Sequence, residues 1–167
     1  MQPKAVIIGG ANGAGKTTFA QNMLAADHPE CTFLNADEIQ REAPEFAAPA
    51  AAGRELIFRL TRQVEAGHSF AIETTLSSRI YARKIPSWRA RGFQVWLYFL
   101  EVQIPEFAIA RVAERVAAGG HGIPRRDIIR RHARSRLLFP TYQQLADAWY
   151  HFEIDDEGRR LVAFKEP

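Results

Sequence analysis

Hydrophobic and polar positions along the chain follow two rhythms: short apolar runs, and longer stretches with a helical period. Residues 4–8 form a short run rich in β-branched side chains, closed by Gly9 and Gly10, and predict a buried strand. Residues 15–26 predict a helix and residues 32–36 a second strand. Residues 44–52, rich in Ala and Pro, read as a mobile connection. Residues 54–66 set Leu56, Leu60 and Val64 on one helical face. Residues 69–74 predict a third strand, and residues 79–91 a helix disturbed at Pro86. Residues 93–100, almost wholly apolar or aromatic, predict a fourth strand. Residues 105–118 open with Pro105, a favoured first helical residue, and stop at Gly119 and Gly120. Residues 124–138 and 140–149 predict two more helices. Residues 150–154 and 161–164 flank Asp155-Asp156-Glu157-Gly158 and predict a terminal hairpin.

Strands separated by helices imply an α/β fold: a parallel sheet with helices on both faces. In such sheets, ligands sit beyond the carboxyl ends of the strands, so the informative residues are those just after each strand. The 167 residues, with no break in composition, suggest one domain over 1–167. A hydrophobic share of 47% and a charged share of 25% fit a soluble globular chain with a real core. The net charge of +3 suits an anionic ligand without indicating nucleic acid. One cysteine, Cys31, allows no internal disulfide and fits a reducing compartment. No apolar run approaches the ~20 residues that span a bilayer, and the N-terminal run is too short for a signal peptide. A cytoplasmic protein without a membrane partner is expected.

Residues Gly10-Ala11-Asn12-Gly13-Ala14-Gly15-Lys16-Thr17 match G-x-x-x-x-G-K-[ST] in full. The glycines let the backbone turn tightly and aim successive N–H groups at one point. The helix that starts there adds its positive end. Lys16 would reach the β- and γ-phosphates, and the Thr17 hydroxyl would face Mg²⁺. Gly10, Asn12, Gly13, Ala14, Gly15, Lys16, Thr17 and Thr18 are thus the expected site for ATP or GTP. A chance Gly-rich turn would not follow a predicted strand and open a predicted helix.

Switches, motors, ATPases and kinases share this turn, so the choice falls to the other strand ends. Asp37, after the second strand, suits a base that takes the proton of an attacking hydroxyl; it equally suits the cap of a helix starting at Glu38. Glu73, Thr74, Thr75 and Arg79, after the third strand, suit an acceptor site, or a helix start capped by Ser77 or Ser78. Glu101, after the fourth strand, suits the acidic end of a metal-binding strand and equally an ordinary loop acid, and carries little weight. Arg111 and Arg115 share a helix face, then come the glycine-flanked His121 and six arginines from Arg125 to Arg136. Such a block resembles a closing, arginine-rich helical lid, although most of its arginines would simply face water. No aromatic platform interleaves the block, so nucleic acid is not the expected partner.

These elements together resemble the zeta-toxin family of P-loop kinases. The resemblance covers residues 4 to about 140. It rests on the Gly9–Thr18 turn, Leu34-Asn35-Ala36-Asp37, Ile72-Glu73-Thr74-Thr75-Leu76, the run from Arg111 through Gly119-Gly120-His121-Gly122-Ile123-Pro124, and Arg130-Arg131. It implies a P-loop sheet of five parallel strands in the order 2-3-1-4-5. It also implies transfer of a γ-phosphate to a small molecule, in the founding toxins the sugar of UDP-N-acetylglucosamine. The family's base falls on Asp37, its sugar-contacting glutamate on Glu73, and its basic lid residues on Arg115 and His121. An antitoxin protein joins the small-molecule substrate as an implied partner. The alternatives are another small-molecule or nucleotide kinase, and a nucleic-acid-binding P-loop NTPase.

Overall fold

The computed structural model describes residues 2–120 and 122–167. His121 lies outside the described residues. The elements are β1 (Lys4–Gly10), α1 (Lys16–Asp27), β2 (Thr32–Leu34), α2 (Ala36–Glu42), α3 (Pro49–Ala66), β3 (Phe70–Thr74), α4 (Ile85–Ala90), β4 (Gln94–Val102), α5 (Pro105–Ala117), α6 (Arg125–Leu145), β5 (Ala148–Ile154) and β6 (Arg159–Lys165). They form one sheet ordered β2-β3-β1-β4-β5-β6. The first five strands pair in parallel in the expected order. The sheet has six strands rather than five, because the terminal hairpin adds β6 antiparallel to β5.

Burial on both faces explains the unbroken apolar runs of the central strands. On one face Leu56, Leu60, Phe70, Ile72, Phe99 and Tyr142 join a core roofed by α3, α4 and α6. On the other, Val6, Ile8, Phe19, Ala108 and Val112 join a core roofed by α1 and α5. Among the described residues no helix is long and apolar enough to cross a membrane.

Three expectations change. The connection at 44–52 is mostly structured: Pro44–Phe46 is a 3₁₀ turn, and α3 already starts at Pro49. Proline tolerates the first helical turn, and the alanines after it favour helix. The helix expected over 79–91 shrinks to Ile85–Ala90, again with its proline in the first turn. The two helices expected at 124–138 and 140–149 are one helix running through Pro140, and Trp149 belongs to β5. An internal proline costs about 3 kcal/mol. Leu138, Phe139 and Tyr142 are buried around it, and the Tyr142 hydroxyl donates to the Ser78 carbonyl at 2.7 Å. That burial offsets the lost helical bond.

Candidate active site

The Gly-rich turn leaves β1 at the carboxyl edge of the sheet, where backbone crowding dictates its glycines. A Cβ on Gly10 would lie 2.3 Å from the Leu100 carbonyl oxygen, and one on Gly13 would lie 2.7 Å from that of Ala108. Gly15 is the N-cap of α1 with φ 77°. Lys16, only 7% exposed, donates from Nζ to the Ala11 carbonyl at 2.9 Å and so folds back across the turn. Burial pushes its ammonium below the ordinary value, while Glu73 and Asp37 pull it back up.

β3 delivers the acid of this site. Glu73 Oε2 accepts from the Thr17 hydroxyl at 2.7 Å and from Asn35 Nδ2 at 3.0 Å. Its other oxygen lies 3.8 Å from Lys16 Nζ. Past β3 the chain turns sharply: Leu76, fully buried, holds φ 54°, and its N–H donates to the Thr74 hydroxyl at 3.2 Å. Thr75 and Ser77 hydroxyls pair at 2.8 Å.

β2 ends early because Asn35 leaves it to cap α2, its Oδ1 accepting from the Asp37 N–H at 2.8 Å. Asn35 therefore takes the capping role, and Asp37 stands exposed in the first turn of α2. On the far side α6 brings Arg131, whose Nη1 donates to Asn12 Oδ1 at 3.3 Å.

These groups line one cavity of about 1050 Å³. It joins Asn12, Lys16, Asp37, Glu73, Thr74 and Thr75 to a wall from α3 and to Arg130 and Arg131 of α6. Of the expected site residues, Arg79 is exposed and outside the cavity lining. Arg115 also lies outside that lining, on α5, yet near enough to Lys16 to lower its proton affinity. Asn35 and Arg131 lie in the motifs that carry the resemblance, but pattern alone gave neither a site role: Asn35 stood beside Asp37, and Arg131 among its arginine neighbours. The α3 wall at Pro49 and Ala50 went unrecognised because residues 44–52 read as a mobile connection.

A Gly-rich turn feeding a helix, its lysine and threonine facing an acid on the neighbouring strand of a 2-3-1-4-5 sheet, defines a P-loop kinase fold. The chain belongs to the zeta-toxin family, whose sequence model (Zeta toxin) matches residues 1–148. A protein of unassigned function from Haemophilus influenzae is 30% identical over 130 residues, 74% of this chain and 88% of that protein. Among solved structures, one from the PezAT chromosomal toxin–antitoxin system of Streptococcus pneumoniae superposes with a TM-score of 0.69 at 18% identity. That likeness covers 98% of this chain and 72% of that one. The AvrRxo1-ORF1:-ORF2 structure with ATP gives 0.73 at 18% identity over 99% of this chain, which spans only 59% of its counterpart.

Proposed function

We propose that this kinase moves the γ-phosphate of ATP or GTP to a hydroxyl of a small molecule, with the sugar of UDP-N-acetylglucosamine as the leading candidate. One observation carries the proposal: the lysine of the phosphate turn and an exposed, unburdened carboxylate, Asp37, open into the same large cavity. A switch or motor needs no second compartment beside its phosphates; an acceptor molecule does.

The turn's N–H groups and Lys16 hold the triphosphate. Thr17 and Glu73 offer two hard oxygens 2.7 Å apart, a pair suited to Mg²⁺, which takes few protein ligands and fills its shell with phosphate and water. Thr17 and Glu73 would hold it, and it would supply charge neutralisation to the transferring phosphate. Asp37 takes the hydroxyl proton of the acceptor as its oxygen bonds the γ-phosphorus and the bond to the β-phosphate oxygen breaks. Glu73 orders Thr17 and Asn35, while Thr74, Thr75 and Ser77 supply polar contacts on the acceptor side. Arg131, latched to Asn12, takes the part of a lid cation. An antitoxin partner belongs to the same reading, supported by the toxin–antitoxin system of the pneumococcal relative, as does a cytoplasmic location, where nucleoside triphosphates and UDP-sugars occur.

Incubation with γ-labelled ATP or GTP, Mg²⁺ and a panel of UDP-sugars and nucleosides, followed by mass spectrometry, tests the substrate. A phosphorylated UDP-N-acetylglucosamine supports the reading in full. Label on a different small molecule keeps the kinase and replaces its acceptor, and label only on added oligonucleotide moves the reading to a polynucleotide kinase.

A further inference from the structure

A second cavity of about 650 Å³ lies against α1 on the face of β4, β5 and β6, away from the phosphate turn's acceptor side. That is the size range of small-molecule sites. Part of its wall, Tyr150, Phe152, Arg159 and Leu161, lies beyond the residues that the zeta-toxin family's model matches. We infer that this cavity binds a planar nitrogen heterocycle of about purine size, separately from the phosphate-transfer site.

The walls favour a flat ring. Tyr98 and Tyr150 stack at 5.0 Å and 8°, and Trp96 and Tyr150 at 6.2 Å and 11°. These rings, and Phe164 beyond Tyr150 at 6.0 Å and 6°, stack on one another across neighbouring strands, so a ligand ring meets their parallel edges in the edge-to-face arrangement that aromatic pairs favour. At the far end, the Arg159 guanidinium lies 4.6 Å from the Phe19 ring centre and 5.7 Å from that of Phe152, a flat cationic surface that also stacks.

The inner end offers a directed hydrogen bond. His28 is 2% exposed, with Nδ1 3.2 Å from Lys4 Nζ and Nε2 2.8 Å from the Tyr98 hydroxyl. An ammonium only donates, so Nδ1 accepts and the ring is neutral with its proton on Nε2. Burial, and then Lys4, hold the His28 pKa below its ordinary value, in keeping with that tautomer. The Tyr98 oxygen therefore accepts from His28, and its own hydrogen remains to donate. No protein acceptor among the described residues takes it. At the mouth, Asn22 and Asp27 supply an amide and a carboxylate. Tyr98 at the inner end suits a ring nitrogen and Asp27 at the mouth suits an amino group, two features that a purine-sized heterocycle carries. Lys4 is already engaged by Glu30 at 3.0 Å, so the site does not call for a highly charged ligand.

The ring could come from a free nucleoside or from the base of the phosphate donor, and calorimetric titration with adenosine separates the two. The inference predicts one-to-one binding that survives saturating ATP–Mg²⁺ and persists in Lys16→Ala. Tyr98→Phe should weaken it about tenfold. Asn22→Trp, at an exposed helical position on the rim, should abolish it while leaving the melting temperature unchanged. Competition by ATP–Mg²⁺ would assign the cavity to the donor's base and overturn a separate site. Absence of binding at millimolar adenosine, or binding indifferent to both substitutions, would overturn the inference altogether.

Discussion

Gly13 shows how one residue ties the phosphate turn to the rest of the fold. Its φ of 80° and the 2.7 Å gap to the Ala108 carbonyl mean that α5 packs directly onto the turn. Gly13→Ala should cost about 1–3 kcal/mol in stability. It should also weaken nucleotide affinity, since the turn must shift to relieve the contact; melting curves with and without nucleotide would read both. Asp37 is a different case: it caps nothing and pairs with no side chain among the described ion pairs and hydrogen bonds, apart from its backbone. It was visible in the sequence as an acid after a strand, yet spacing could not separate a base from a cap. The Asn35 cap takes the capping role away from Asp37, because one helix start needs one cap, and leaves the base as the proposed role. Glu73 was also visible, but its contacts to Thr17, Asn35 and Lys16 join side chains 56, 38 and 57 residues away, beyond the reach of local pattern.

At the scale of elements, α6 is the part that the sequence disguised most. Pro140 and a dense run of arginines suggested two helices with a basic face, whereas one helix carries a phosphate-side contact and an anchor. The phosphate-side contact is Arg131, latched to Asn12. The anchor follows within two turns: His132 Nε2 meets the Val102 carbonyl at 2.7 Å, and Arg136 Nε meets Glu101 Oε1 at 2.5 Å. Glu101, set aside as a loop acid, is thus a clamp, with its second oxygen 2.7 Å from His151 Nε2. The hydrogen bond from His151, helped by the Arg136 charge, holds the Glu101 carboxyl below its ordinary 4.5. Glu153 is its neighbour across the β4–β5 ladder. A pKa lowered by folding stabilises the fold above the unfolded value and loses that effect as pH falls through the folded one. The difference in melting temperature between wild type and Glu101→Gln should therefore shrink as pH falls below 4.5. Arg131→Ala should lower kcat about 10²-fold with little change in melting temperature, as expected for a lost cation at the transferring phosphate.

At the scale of the whole molecule, the rhythm of the chain announced a parallel α/β sheet, while the order β2-β3-β1-β4-β5 was what the family resemblance implied, and the sheet follows it. The sixth strand was legible as a hairpin but not as an extension of the same sheet. All of β6 is exposed, so no buried alternation marked which surface it would join. The same solvent-facing hairpin walls the aromatic cavity, which leaves no motif in the sequence because its rings come from three separate elements, α1, β4 and β5. The two cavities divide the molecule: one gathers phosphate chemistry at the carboxyl ends of the strands, the other gathers aromatic rings along α1.

Asp37 is proposed to serve the transfer step rather than the binding of nucleotide. Single-turnover transfer of labelled γ-phosphate by Asp37→Asn, beside wild type at matched nucleotide occupancy, tests it most directly. The account predicts a rate lower by about 10²–10⁴-fold with nucleotide affinity nearly unchanged. Transfer at the wild-type rate would contradict it and return Asp37 to an exposed residue at the start of a helix.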